Sequence, residues 1–348
     1  MPVTLKSLRD LAALPFDSVI DVRSPSEFAE DHMPGAISLP VMSDAERARV
    51  GTIYTQVDPF QARKIGAALV SRNAARHLEG PLSEMPGGWR PLVYCWRGGQ
   101  RSGSFAVILG QIGWRTDTVE GGYRSYRRLV VRLLHDDPLP WKTVLIDGNT
   151  GTGKTQLLHH LAAQGAQVID LEGLAAHRGS LFGGLSGPQP AQKMFESRLA
   201  AALVALDPAR PVFMEAESNK VGDLLIPGSV WKAMIAAPRI EVTAPLPDRA
   251  AHLIDTYGEL TADPAALTAI LDQLRPYHSA DRIAHWQALA AARDFHQLCT
   301  GLMHDHYDPR YAKSSTRKAA AIARIAMPDL TPATLERTAR RMIDEHGG

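Results

Sequence analysis

Two short stretches of this 348-residue chain hold side chains whose types and spacing suit chemistry. In YCWRGGQRSG, residues 94 to 103, Cys95 is followed by Arg97, Gly98, Gly99 and Arg101. A cysteine that ends a strand and precedes a glycine-bearing loop and a helix faces converging backbone N–H groups and the positive end of the helix dipole. The two arginines add charge, and together these features favour the thiolate, the nucleophilic form of the side chain. The same cradle suits a persulfide or perselenide anion on that sulfur, or an oxyanion delivered to it. A buried structural thiol at a strand end is the competing reading and describes most free cysteines. The arginines and glycines favour reactivity.

The second stretch is GNTGTGKT, residues 148 to 155. Gly148, Gly151, Thr152, Gly153, Lys154 and Thr155 satisfy G-x-x-x-x-G-K-[ST], with a strand-like run before it and a helical pattern after it. The glycines let backbone N–H groups wrap a diphosphate, Lys154 supplies a point charge, and Thr155 can ligate Mg²⁺. The pattern specifies phosphate and leaves open whether the bound molecule is ATP. Asp170 and Glu172 follow one apolar run, and Glu215 and Glu217 another, so either pair could serve as an acid or meet a metal at the C-terminal edge of a sheet. Solvated turns would carry such pairs as readily. The 13 histidines show no metal-ligand spacing, and no tightly bound cofactor is expected beyond an optional Mg²⁺ at Thr155.

Two basic stretches suit RNA. GGYRSYRRLVVRLL carries Arg124, Arg127, Arg128 and Arg132 with Tyr123 and Tyr126 interleaved, and YAKSSTRKAAAIAR carries Lys313, Arg317, Lys318 and Arg324. Guanidinium groups suit phosphates, and tyrosines can stack on bases splayed from a loop. A solvated helix face is the alternative for each. The net charge is only +1, so any nucleic-acid footprint must be local.

These residues need elements to position them. Val19–Val22 reads as a buried strand, followed by a helix start at Ser24-Pro25-Ser26-Glu27 with the capping-box pattern. A turn at Pro34-Gly35, a helix over 58–78, the strand PLVYC, the helix SGSFAVILGQIG and the strand DTVEGGY complete a first domain over 1–134. HDDPLP, 135–140, reads as a linker. A second domain over 141–348 begins with the strand Val144-Leu145-Ile146 and the phosphate loop, and from about residue 245 its pattern is mostly helical. Alternating strands and helices imply α/β folds with parallel sheets. Apolar content of 45% and charged content of 22% describe an ordinary soluble protein. Two cysteines do not make a disulfide framework, so Cys299 reads as a packed thiol. No apolar run suits a signal peptide or a membrane span, and a cytoplasmic protein is expected.

DVRSPSEFAEDHMPGAISLP, followed by a strand and a cysteine-led loop, resembles the rhodanese (sulfurtransferase) domain. The resemblance implies that Asp21 and Arg23 help organise the domain and that Cys95 carries the transferred chalcogen. YCWRGGQRSGS is more specific and resembles the loop of bacterial tRNA 2-selenouridine synthases, in which a rhodanese domain precedes a P-loop NTPase-like domain. LEGLAAHRGSLFG, ESNKVG and HYDPRY resemble that family's second-domain motifs. Asn219 stands where the family pattern has Arg, with Lys220 beside it as an alternative cation. The resemblance implies a transferase that replaces the sulfur of the wobble 2-thiouridine in the tRNA anticodon by selenium. Its substrates would be selenophosphate and geranyl diphosphate, and a selenophosphate-supplying enzyme would be a partner. A sulfurtransferase fused to an ATP-dependent kinase or adenylating module, acting on a small metabolite, is the rival reading. A regulator that senses redox state and switches on nucleotide is another.

Overall fold

A computed structural model describes residues 2–185, 187–315 and 320–347. Two units emerge: Met1–Asp137 with Pro190–Ala205, and Pro138–Gln189 with Leu206–Gly348. Residues 190–205 thus group with the first unit although the second continues on both sides of them.

The first unit is built on β1 (Ser18–Asp21), β2 (Ile37–Ser38), β3 (Pro91–Tyr94) and β4 (Asp117–Thr118), parallel and in the order β2-β1-β3-β4. β3 is buried along its whole length, as expected of a parallel strand covered on both faces. The helix Pro25–Glu30 starts as the sequence predicts: Pro25 opens it, and Ser24 and Glu27 form the capping box. Ile20, Val22, Val93, Phe105 and Leu109 form the core, with Cys95 at its edge. The helices Asp44–Gln56 and Pro59–Glu79 follow one another between β2 and β3.

The second unit holds β5 (Thr143–Asp147), β6 (Gln167–Ile169) and β7 (Val212–Glu215), then a hairpin of β8 (Lys220–Val221) and β9 (Leu224–Leu225), and finally β10 (Arg239–Thr243) and β11 (Ala323–Ala326). Its main sheet is parallel, ordered β11-β10-β5-β7-β6. β5 is central and has β7 on one side and β10 on the other. The chain therefore reverses its direction of sheet growth at β5, where a crevice opens beyond the strands' C-terminal ends. Val144, Ile146, Leu157, Phe213, Val242 and Ile325 pack the core. The later helices form their own cluster around Trp286, with Leu271, Ile283 and Leu298.

The region after about residue 245 is mostly helical, as expected, with one strand among its helices. β11 lies inside that region and extends the sheet next to β10. Only Ile325 of its four residues is buried, so this edge strand has no apolar run to announce it. Among the described residues no helix is long and apolar enough to cross a membrane.

Candidate active sites

Cys95 follows β3 and precedes the loop that ends at Gly99, the N-cap of the helix Gln100–Ile112. The start of the loop is held by the next helix: the Tyr123 and Arg124 N–H groups donate to the Cys95 and Trp96 carbonyls at 2.8 and 3.1 Å. Gly122 makes this approach feasible. A Cβ there would sit 2.2 Å from the Cys95 carbonyl oxygen, and its φ is +59°. The sulfur is nearly buried, at 4% exposure, and the Ser102 hydroxyl donates to it at 3.2 Å. Sequence reasoning missed Ser102, whose only signal is its place in the first turn of the helix after the loop.

The two loop arginines differ. Arg97 is exposed. Arg101 donates to the Glu27 carboxylate at 2.8 Å, and Arg47 pairs with the same group at 3.1 Å. Burial pushes the Glu27 carboxyl up, but Arg101, the Ser24 N–H and Arg47 together outweigh it and the group is held below its ordinary range. Below the loop, Arg23 is buried against Asp21 and lies 4.0 Å over the Tyr123 ring. This pair ties the end of β1 to the helix Gly122–Val131.

The phosphate loop joins β5 to the helix Lys154–Ala163. Its start and its middle are each braced by an ion pair. Asp147 accepts from the Gly148 N–H at 2.9 Å and from Arg239 at 2.8 Å. Arg249 donates to the Thr150 carbonyl at 2.9 and 2.8 Å and pairs with Asp308 at 2.6 Å. Gly148 passes so close to β10 that a Cβ would lie 2.5 Å from the Val242 carbonyl oxygen. Lys154 Nζ donates to the Gly148 carbonyl at 2.9 Å, and the Thr155 hydroxyl donates to Glu172 at 3.0 Å. Arg249 had no motif to signal it. Asp308 lies in HYDPRY, where sequence alone assigned it no task.

The four acidic candidates separate by position. Glu172 and Glu217 line a cleft of about 700 Å³ together with the phosphate loop. They converge on Gly179, where a Cβ would lie 2.7 Å from one carboxylate and 2.8 Å from the other. Burial, reinforced by the charge of Glu217, raises Glu172 to about 7. Glu215 is fully buried and raised well above the ordinary range by that burial. One of its oxygens accepts from the Leu171 N–H at 3.3 Å. Asp170 caps the short helix Leu171–Ala175 through the Gly173 N–H at 2.6 Å. Among the described residues no group of three or more His, Cys, Asp or Glu is arranged to hold a metal ion. Asn219 and Lys220 are exposed where the hairpin begins.

Beside the cleft lies a second cavity, of about 60 Å³ and of different character. Thr150, Ser180, Leu253, Tyr257 and Tyr307 border both, and Phe182, Leu267, Phe295, Leu298 and Leu302 carry the second inward. Its walls are almost wholly apolar. Cys299 lies on this wall, and burial raises its thiol to about 11, as suits a packed side chain.

The basic stretches divide in the same way. Arg124 and Arg128 are exposed on the helix Gly122–Val131. Arg127 turns inward, pairs with Glu196 and donates to the Lys193 carbonyl at 3.2 Å. Tyr123 and Tyr126 are 2% and 1% exposed, so they offer no face for stacking a base. Arg132 pairs with Asp137 at 2.9 Å. In the second stretch Lys313 is exposed on the helix Asp308–Ser315, and Arg324 pairs with Glu241 at 3.1 Å. Arg317 and Lys318 lie outside the described residues.

Residues 4–129 match the family described as Rhodanese-like domain, and residues 141–273 match the tRNA 2-selenouridine synthase AAA domain. The chain is similar to a tRNA 2-selenouridine synthase of Nitrosomonas europaea, 37% identical over 69% of this chain. That match spans 63% of the relative's own length. A tRNA 2-selenouridine synthase of Pseudomonas syringae pv. syringae is 32% identical over 87% of this chain and 90% of the relative. Among solved structures, a rhodanese-related protein from Thermoplasma volcanium is 18% identical with a TM-score of 0.24, over 36% of this chain and 90% of that one. A cysteine-led loop on one sheet and a phosphate loop on the other therefore stand in a chain that matches one such enzyme over 90% of that enzyme's length, and it belongs to the tRNA 2-selenouridine synthase family.

Proposed function

We propose that this protein converts the wobble 2-thiouridine of tRNA to 2-selenouridine in two steps, with geranyl diphosphate and selenophosphate as substrates. The observation that carries the reading is the junction of the phosphate-loop cleft with the apolar cavity. The phosphate loop suits a diphosphate head, and the apolar walls suit a hydrocarbon tail, for which the cavity of about 60 Å³ must widen. A nucleotide would instead bring a polar base to walls that offer it few hydrogen bonds.

The chemistry follows from leaving groups. A thiocarbonyl sulfur departs poorly, whereas an S-alkylated one departs as a thiol. In the first step the sulfur attacks the allylic carbon, the carbon–oxygen bond breaks, and the electron pair leaves with the diphosphate. Lys154 and the loop N–H groups meet the charge that gathers on that leaving group. An Mg²⁺ ion, if used, would find Thr155 and Glu172 beside the same oxygens and would supply further charge neutralisation. In the second step the selenium of selenophosphate adds to C2, the geranyl thiol departs with its sulfur, and water takes the phosphoryl group from selenium as inorganic phosphate. Cys95 serves this step.

Nucleoside analysis of tRNA from cells carrying single variants tests the division of labour. Lys154→Ala is expected to leave plain 2-thiouridine, because the leaving group loses its cation. Cys95→Ser is expected to accumulate S-geranyl-2-thiouridine. If both variants accumulate one species, or Cys95→Ser still makes selenouridine at the parent rate, the proposal is wrong.

A further inference from the structure

The helix Asp44–Gln56 has no buried residue. The helix is ordered by its neighbour Pro59–Glu79 and by Val50, which packs against the edge of the core, and most of its remaining surface is exposed. Between these two helices and the first turn of the helix Gln100–Ile112 lies a cleft of about 500 Å³. Arg47, Tyr54, Arg63, Gln100 and Arg101 line it, and no carboxylate is among its lining residues. Tyr54 is 53% exposed.

The charge in the cleft is organised. Glu27, beneath it, pairs with both Arg47 and Arg101 at 3.1 and 2.8 Å, so one carboxylate holds two guanidinium groups side by side. Asp44 also faces Arg47, so the two guanidinium groups are held in place by two carboxylates, neither of which lines the cleft. Arg63 adds a further guanidinium, which bonds from Nε to the Pro59 carbonyl at 3.3 Å and faces Asp58 at the start of the same helix. Planar cations flanking an exposed aromatic face match the alternation of phosphate and base along a single strand. Gln100 adds an amide able to meet a base edge, and it opens the helix that follows the Cys95 loop.

We propose that this cleft holds the single-stranded loop of the RNA substrate, with Arg47 and Arg63 at phosphates and Tyr54 stacked on a base. The inference rests on the tRNA reading above and gives it a location. A modifying enzyme must reach a base out of its stack, and a strand bound here would present one beside the loop of Cys95. The helix Gly122–Val131 is the weaker site, because its tyrosines are buried and Arg127 is neutralised by Glu196.

The test uses the full-length protein and a fluorescent anticodon stem-loop RNA, titrated at several salt concentrations. Tyr54→Ala is expected to weaken binding by about five-fold or more with an unchanged salt slope, as loss of one stacked base implies. Arg63→Ala is expected to weaken binding and lower the slope by about one, the signature of one lost phosphate contact. The far-UV circular dichroism spectrum and thermal midpoint should match the parent in both, which shows that the variants are folded. If both bind RNA like the parent, or if Arg124→Ala with Arg128→Ala abolishes binding instead, the location is wrong. Loss of affinity for a polyglutamate probe with RNA binding intact would make this a protein-docking surface and overturn the inference. A parent protein that binds no RNA would sink the functional reading itself, a result distinct from failure of the variants.

Discussion

The Cys95 sulfur meets a hydroxyl from Ser102, while Arg101 faces Glu27. The local motif was legible from residue types alone: a strand-end cysteine, glycines where the backbone must pass close, and a helix start. The partners of its charges were not. Glu27 lies 74 positions from Arg101, and Glu196 lies 69 from Arg127, so no spacing rule connects them. Ser102→Ala should slow selenium incorporation by about five-fold, the worth of one ordinary hydrogen bond, and leave geranylation unchanged. Single-turnover nucleoside analysis would read both steps, and equal slowing of the two would show a structural role. Glu172 carries the pH dependence at the other site. Its folded value of about 7 exceeds its ordinary 4.5, so the folded state holds the proton more tightly. Its contribution to stability is full below the lower value and fades as pH rises through the higher one. The thermal midpoint, measured in chelator, should therefore fall between about pH 5 and 7, with Glu172→Gln flattening the decline. An unaltered slope in the variant would remove Glu172 from the account.

At the level of elements, strands buried on both faces were easy to see, as were capped helices and the glycine-rich phosphate loop. β11 was not, because an edge strand with one buried residue has neither an apolar run nor alternation. It matters for the site nonetheless. β11 lies against β10, and β10 brings Arg239 to the carboxylate that holds Gly148. The opposite brace joins two distant helices, Leu246–Thr256 and Asp308–Ser315, through Arg249 and Asp308. Removing Asp308 leaves a buried guanidinium with half its partners. Asp308→Ala is expected to cost roughly 1–3 kcal/mol in urea unfolding and to weaken diphosphate binding, while Asp308→Asn keeps part of both. Full diphosphate affinity in the alanine variant would show that the brace does not shape the loop.

For the molecule as a whole, the order of motifs along the chain made two α/β units readable before any coordinates. The ownership of residues 190–205 was hidden, since nothing in QKMFESRLAA distinguishes a helix of one unit from a helix of the other. Its apolar positions, Phe195, Leu199 and Leu203, read as core of either. Arg127 and Glu196 settle it, together with Lys193 and Glu30 at 2.6 Å. A fragment of residues 1–137 should be less stable than the same unit in the full chain, and a peptide of residues 190–205 added in trans should raise its thermal midpoint. No rise would mean the helix is dispensable to the first unit. The same arrangement bears on biosynthesis. A ribosome that has finished residue 137 has not yet supplied the first unit's last helix, and it must translate 52 residues of the second unit before reaching it. The nascent first unit waits with Tyr126 and Asp31 uncovered, so its maturation is timed by the elongation of its neighbour.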